Sequence, residues 1–314
     1  MIKEREQWLR SRLEGIGGSE AGIVLGVSPF KSRLELWNEK INKEIKMDLE
    51  DELIFKIGNA LEPIVANEYF KMTGRVLELR SQKVHPEYSF ITGNVDREII
   101  KSERMLPGIL EIKTKGAWTT WHGDEIPLYI QAQLQQYLAV YGYTWGSIAV
   151  LDLGTRTVNY TDFERDEELI KTIIEEEKKF WKLVQDKTPP KIDESKACSS
   201  FLKEFYNTSE PITIDISDNE EATKYAIALQ QVKRQYKDLE IMELESKNYF
   251  MDLMKNAEKA VGDGFNITWK SDKDSVKFDE ERFKNENSEL YKKYMKEKKG
   301  VRRFLTRFNK EKEE

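Results

Sequence analysis

The sequence predicts an α/β protein, a central mixed sheet flanked by helices, followed by a C-terminal helical arm with a small β element. Three observations predict it. The hydrophobic period changes from helical to alternating near Arg75. The elements then run as helices, three strands, one helix, two strands and a helix, the order of a sheet covered on both faces. Beyond the Pro189-Pro190 pair the pattern turns into one long, highly charged helical run over residues 219–260.

Taken in order, an opening helix is expected over residues 3–13, ended by Gly15. Ser19 reads as the N-cap of a short helix that closes at Gly26. Ser28-Pro29-Phe30 marks a turn before a helix over 32–42, which carries Leu34, Leu36, Trp37 and Ile41. A longer helix covers 51–72, with Gly58 and Pro63 as expected kink points. Strands are expected at 76–84, 90–100, 109–114, 147–153 and 158–163, with a helix over 128–141 stopped by Gly142. A helix over 166–185 closes a core of residues 1–190. A polar connector follows over 191–218, and residues 219–314 form a C-terminal region. There Leu229, Val232, Tyr236, Leu239, Met242 and Leu253 recur at helical spacing. A hairpin is expected to pair 265–269 with 275–278 around Ser271-Asp272-Lys273-Asp274, and a closing strand to run over 301–308.

The chain has 314 residues, 34% of them charged, and a net charge of −6. Any contact with a polyanion is therefore expected from a local groove, or from the Lys/Arg-rich tail, rather than from the bulk field. One cysteine excludes an internal disulfide and a four-cysteine metal cluster, and two histidines argue against a histidine-built zinc hydrolase. The first residues lack an apolar signal core and no apolar run is long enough to span a membrane, so a cytoplasmic protein is expected.

Three strings carry chemistry: Gly93-Asn94-Val95-Asp96, Glu111-Ile112-Lys113 and Gln133-Leu134-Gln135. Residues two apart on a strand share a face, so Glu111 and Lys113 project together while Ile112 points into a core. Asp96, on a neighbouring strand, adds a second carboxylate. Two carboxylates and a backbone carbonyl form the all-oxygen site that Mg²⁺ prefers. Each residue also has a plainer reading. Glu and Lys two apart often line a solvated strand face, and Glu62 could serve an ordinary ion pair. Gln133 and Gln135 do not share a helix face, so one of the two is expected to be structural.

The strings occur in a larger order. Residues 16–30, then Gly58-Asn59-Ala60-Leu61-Glu62-Pro63, the Asp96 turn, Glu111-Ile112-Lys113 and the run from Gln133 to Gly142 together resemble the YqaJ-like viral recombinases. That family is related to phage lambda exonuclease within the PD-(D/E)xK nuclease superfamily, and the likeness covers most of residues 1–190. It implies a restriction-endonuclease-like core and a catalytic set of Glu62, Asp96, Glu111, Lys113 and Gln133. It implies metal ligation by Glu62, Asp96, Glu111 and the Ile112 carbonyl, with one or two Mg²⁺ ions for which Mn²⁺ substitutes. It implies a 5′ to 3′ exonuclease acting on double-stranded DNA ends and leaving 3′ single strands for a RecT/Bet-type annealing protein. A homo-oligomeric ring, a trimer by analogy, is implied as well, in a phage or prophage setting within a bacterial cytoplasm. Ser19, Lys31, Arg33, Trp121 and Gln135 are the expected contacts to DNA or its 5′ phosphate. Glu20 departs from the family's relatives, standing where lambda exonuclease has an arginine. Two other readings stay open: a structure-specific or restriction-like endonuclease on the same fold, and a chain that is mainly a DNA-binding or assembly module.

Overall fold

The computed structural model describes residues 13–42, 49–116, 125–297 and 300–308. The expected opening helix falls almost wholly outside these residues, as do Trp118 and Trp121. Two compact units are present, Met1–Tyr206 and Asn207–Glu314.

The first unit begins with β1 (Ile16–Gly17), α1 (Gly18–Val24), α2 (Arg33–Asn42) and α3 (Leu49–Thr73). Strands β2 (Val76–Glu78), β3 (Lys83–Val84), β4 (Ile91–Gly93), β5 (Arg97–Lys101) and β6 (Gly108–Lys115) follow. Helix α4 (Leu128–Tyr141) leads to β7 (Trp145–Asp152) and β8 (Thr157–Glu164), and then to α5 (Glu167–Gln185) and α6 (Lys196–Phe205). The main sheet has the order β2-β5-β6-β7-β8, and its β6–β7 pair is parallel while the others are antiparallel. The α/β class and the mixed sheet match the expectation from sequence.

Alternation along β6 sorts its side chains between two cores. Ile109 joins Leu134, Leu138 and Ile148 beneath α4, whereas Leu110 and Ile112 join Val65 and Tyr69 of α3 on the opposite face. Glu111 and Lys113 are therefore delivered to the α4 side. Helix α4 ends because Gly142 takes φ 73°, a left-handed cap that releases the chain into β7. Helix α5 starts at Asp166, whose carboxylate accepts the N–H groups of Glu168 and Leu169, a cap of about 1 kcal/mol.

Helix α1 lies unusually close to α4, and glycine makes that possible. A Cβ on Gly22 would sit 2.6 Å from the Tyr129 Cβ and 2.9 Å from its Cα, and one on Gly18 would sit 2.2 Å from the Tyr137 ring. The two glycines are one turn apart and form the contact face.

Several elements differ from the sequence expectation. The single strand foreseen over 90–100 is two strands in two sheets: β4 pairs with β1 and β3, and β5 enters the main sheet. The break spans 94–96, just after Gly93, which packs so closely that a Cβ there would meet Tyr141 and Val140 at 3.1 Å. The polar stretch 191–218 contains α6, capped by Ser195 and anchored by buried Ala197 and Cys198.

The second unit opens with α7 (Glu220–Met254), a 35-residue helix whose only buried side chain is Met254. It stops six residues before the expected end, where Lys255 takes φ 52°. The hairpin is also displaced: β9 (Lys259–Gly262) pairs with β10 (Phe265–Thr268) across Asp263-Gly264, with Gly264 at φ 79°. An Asp-Gly dipeptide meets the left-handed demand of a tight hairpin turn, which the polar run at 271–274 does not. Residues 275–278 and 301–308 form no strand; the short helices α8 (Glu280–Glu286) and α9 (Ser288–Tyr294) lie between them. Among the described residues no helix is long and apolar enough to cross a membrane.

Candidate active site

Four of the expected residues meet where β6, the β4–β5 break and α4 converge. Lys113 Nζ lies 2.7 Å from Glu111 Oε1 and donates to Gln133 Oε1 at 3.0 Å. The Gln133 amide donates from Nε2 to Glu111 Oε1 at 2.6 Å and to the Tyr137 hydroxyl at 3.0 Å. Because lysine can only donate, it fixes which end of the Gln133 amide is oxygen. Gln133 thus holds the acid and the base of the Glu111–Lys113 pair at once.

Asp96 joins through the backbone. Its Oδ2 accepts the Ile112 N–H at 2.6 Å, two residues beyond the last β5–β6 pair, Arg97–Leu110. A strand residue's N–H and C=O project to the same edge, so the Ile112 carbonyl shares the edge occupied by Asp96.

The electrostatics follow from burial. Desolvation, then the neighbouring Glu111 charge, push the Asp96 carboxyl well above its ordinary range, against the pull of Lys113 and the Ile112 N–H. Burial also raises Glu111, opposed by Lys113. For Lys113 burial acts downward, but Glu111 and Asp96 outweigh it and hold the ammonium above its ordinary value. Its carboxylate neighbours thus favour the ammonium form of Lys113.

The same set was tested for a metal ion. Glu111 Oε2 is buried with no hydrogen-bond partner, and the Glu111 charge lies close enough to Asp96 to raise its carboxyl. Among the described residues no three His, Cys, Asp or Glu side chains converge as a metal-holding group, so the set is two carboxylates and a backbone carbonyl. Its all-oxygen chemistry fits a hard, partly hydrated divalent ion.

The remaining candidates are placed differently. Glu62 lies within electrostatic reach of Asp96 and Glu111 but is ion-paired to Arg97. Arg97 also donates to the Asp96 carbonyl, and it is a residue that the sequence reading missed. Ser19 is exposed in the first turn of α1. Lys31 is paired with Glu39 at 2.6 Å and Arg33 with Glu176 at 3.3 Å, so neither basic group stands uncommitted. Trp121 lies outside the described residues. Gln135, expected at DNA, is instead 3% exposed: its Nε2 donates to the Glu164 carbonyl and its Oε1 accepts the Asp166 N–H, tying β8 to α5. Helical geometry required one of the two glutamines to turn away, and Gln135 is that one. Glu20 is buried, with Lys40 Nζ at 2.7 and 2.8 Å and the Gly17 N–H donating to it at 3.0 Å. The sequence reading also passed over Tyr129 and Tyr137, although each lies four residues from Gln133 and so on its helix face.

Comparisons with known proteins show the family and the fold. The sequence pattern described as the YqaJ-like viral recombinase domain matches residues 7–144. The uncharacterized protein YqaJ of Bacillus subtilis (strain 168) is 34% identical over 304 residues, covering 93% of this chain and 91% of that protein. Among solved structures, LHK-Exo in complex with dAMP is 22% identical with a TM-score of 0.50, over 58% of this chain and 94% of that one. Another crystal structure of LHK-Exo, the alkaline exonuclease of Laribacter hongkongensis, gives 22% identity and a TM-score of 0.48 over the same shares. The shared core is the PD-(D/E)xK-like fold. The extent of the match to the Bacillus protein, together with the domain pattern, makes this chain a member of the YqaJ-like viral recombinase family.

Proposed function

We propose that the protein is a divalent-metal-dependent deoxyribonuclease that degrades duplex DNA from its ends in the 5′ to 3′ direction. The observation that carries this reading is the Asp96–Glu111–Lys113–Gln133 cluster, a carboxylate pair with one buried oxygen unsatisfied beside a lysine ion-paired to Glu111. The family's character as a viral recombinase domain supports DNA as the polymer, and the relation to lambda exonuclease noted from the motifs supports the polarity.

Asp96, Glu111 and the Ile112 carbonyl are the residues that would hold Mg²⁺, with Mn²⁺ as a substitute. When bound, the ion supplies Lewis-acid activation of water and charge neutralisation at the phosphate. Lys113 places a positive charge beside that edge, where it stabilises negative charge developing on the phosphate oxygens. Gln133 bonds both members of the Lys113–Glu111 ion pair and so fixes the orientation of the ammonium and the carboxylate relative to each other. Arg97 holds Glu62 and the Asp96 carbonyl, fixing the approach of the second carboxylate. The 3′ strand left by such an enzyme would pass to an annealing protein of the RecT/Bet class. A homo-oligomeric ring around DNA would explain sustained digestion by a chain with no net positive charge.

The test uses linear duplexes labelled at either end and a covalently closed circle of the same sequence, incubated in Mg²⁺. Early release of 5′-terminal nucleotides and an untouched circle are expected. Equal cutting of the circle would replace this reading with an endonuclease, and release from 3′ ends would reverse the polarity.

A further inference from the structure

The turn after α1 presents an aromatic ring to solvent at the margin of the Lys113 cluster. Phe30 is 75% exposed, although the chain that carries it is well held. Gly26 takes φ 74°, the N–H groups of Val27 and Ser28 both donate to the Gly22 carbonyl at 2.9 and 3.0 Å, and the Phe30 N–H donates to Ser28 Oγ at 3.3 Å. A fixed turn that leaves a phenyl ring in water gives up a burial that most phenylalanines obtain.

The ring's neighbour links it to the cluster. Phe30 meets Tyr129 edge to face, with centroids 5.6 Å apart and planes at 88°. Tyr129 cannot drift, because its backbone is pressed against Gly22. It lies on the helix face of Gln133, one turn earlier, and its phenol is within electrostatic reach of Lys113. Leu128, the first residue of α4, is also exposed beside it. An edge-to-face contact occupies the edge of one ring and one face of the other, so in either arrangement Phe30 keeps at least one face uncovered by Tyr129.

We propose that Phe30, braced by Tyr129, is a stacking platform for the nucleobase adjoining the scissile phosphate. The inference rests on the nuclease reading, and continuity with the Lys113 cluster selects a nucleobase as occupant. Cutting a strand at that cluster necessarily places bases within a nucleotide or two of it. An aromatic face accepts any base, which suits an enzyme that must pass through every sequence.

The test combines Phe30→Ala, Phe30→Leu and Phe30→Trp with duplexes carrying 2-aminopurine at the first or second nucleotide from the 5′ end. In the Lys113→Ala background, where cleavage is expected to be about 10²–10⁴-fold slower, the intact platform is expected to quench 2-aminopurine on binding. Phe30→Ala and Phe30→Leu lose the quench, and Phe30→Trp keeps it. In the otherwise wild-type enzyme, Phe30→Ala and Phe30→Leu raise KM by roughly tenfold to a hundredfold while kcat changes far less. Phe30→Leu keeps the apolar bulk and lacks only the π face, so wild-type quenching and KM in Phe30→Leu would overturn the platform even if Phe30→Ala folds poorly. If the wild type releases no nucleotide yet the Lys113→Ala protein quenches through Phe30, the nuclease reading fails and the platform stands. Absence of both cleavage and quenching overturns both.

Discussion

Replacing Lys113 with alanine is expected to lower turnover on linear duplex DNA by about 10²–10⁴-fold, the range for removal of a positioned electrostatic or acid–base group, while affinity for DNA stays within a few-fold of wild type. The expectation follows from the geometry. Lys113 is the cation in direct contact with Glu111, 2.7 Å away, and the partner that orients the Gln133 amide. Its removal leaves Glu111 buried without that countercharge and frees the Gln133 oxygen. Some structural loosening is therefore built into this variant. Lys113→Gln separates the two effects, because it restores a hydrogen-bond donor without the charge. If charge is what matters, Lys113→Gln recovers thermal stability but not turnover. Turnover retained by either variant would remove Lys113 from its assigned role. Fluorescence anisotropy for binding and single-turnover nucleotide release for chemistry make the comparison.

The second large effect concerns stability. Glu177 of α5 is fully buried, both its carboxylate oxygens lack hydrogen-bond partners, and it faces the Glu20–Lys40 pair. Burial, then the Glu20 charge, push its carboxyl well above the ordinary range, against Lys40. A carboxyl whose folded value is raised favours the fold when protonated. That contribution is complete below the unfolded value of about 4.3 and is lost as pH rises through the raised folded value. Glu177→Gln removes the titration and should be the more stable protein at pH 8, on the order of 1–3 kcal/mol, because it removes a buried charge that has no hydrogen-bond partner. The advantage should shrink towards pH 4. Glu177→Met, which also removes the unpaired polar atoms, should show the same pH trend. A difference from wild type that does not vary with pH, or a wild type more stable at pH 8, would contradict the assignment.

The site was legible in sequence to the extent that it depends on local geometry. The period of two on β6 put Glu111 and Lys113 on one face, and the helical period on α4 separated Gln133 from Gln135. What could not be read is set by contacts between distant segments. Asp96 reaches Ile112 from the break between β4 and β5, a tertiary feature that the strand-like pattern of residues 90–100 does not announce. Glu20 looks like an acidic substitute at a phosphate pocket, but it is committed to Lys40, twenty residues further along and inside the core. The displaced hairpin is a different kind of error. The Asp263-Gly264 signal was available in the sequence and was overridden by an amphipathic pattern extended past Met254, where the Lys255 backbone turns left-handed. Helix α6 was hidden because so little of it is buried that its surroundings read as a linker.

If Asp96 and Glu111 hold a divalent ion beside Lys113 to cut phosphodiester bonds, nucleotide release from linear duplex DNA should depend on Mg²⁺ through both carboxylates. After chelation and Mg²⁺ add-back, comparing the wild type with Asp96→Asn and Glu111→Gln, we expect no release with chelator, full recovery of the wild type on Mg²⁺ addition, and no recovery in either variant at any Mg²⁺ concentration. Release in the presence of chelator, or recovery in Glu111→Gln equal to that of the wild type, would contradict that role.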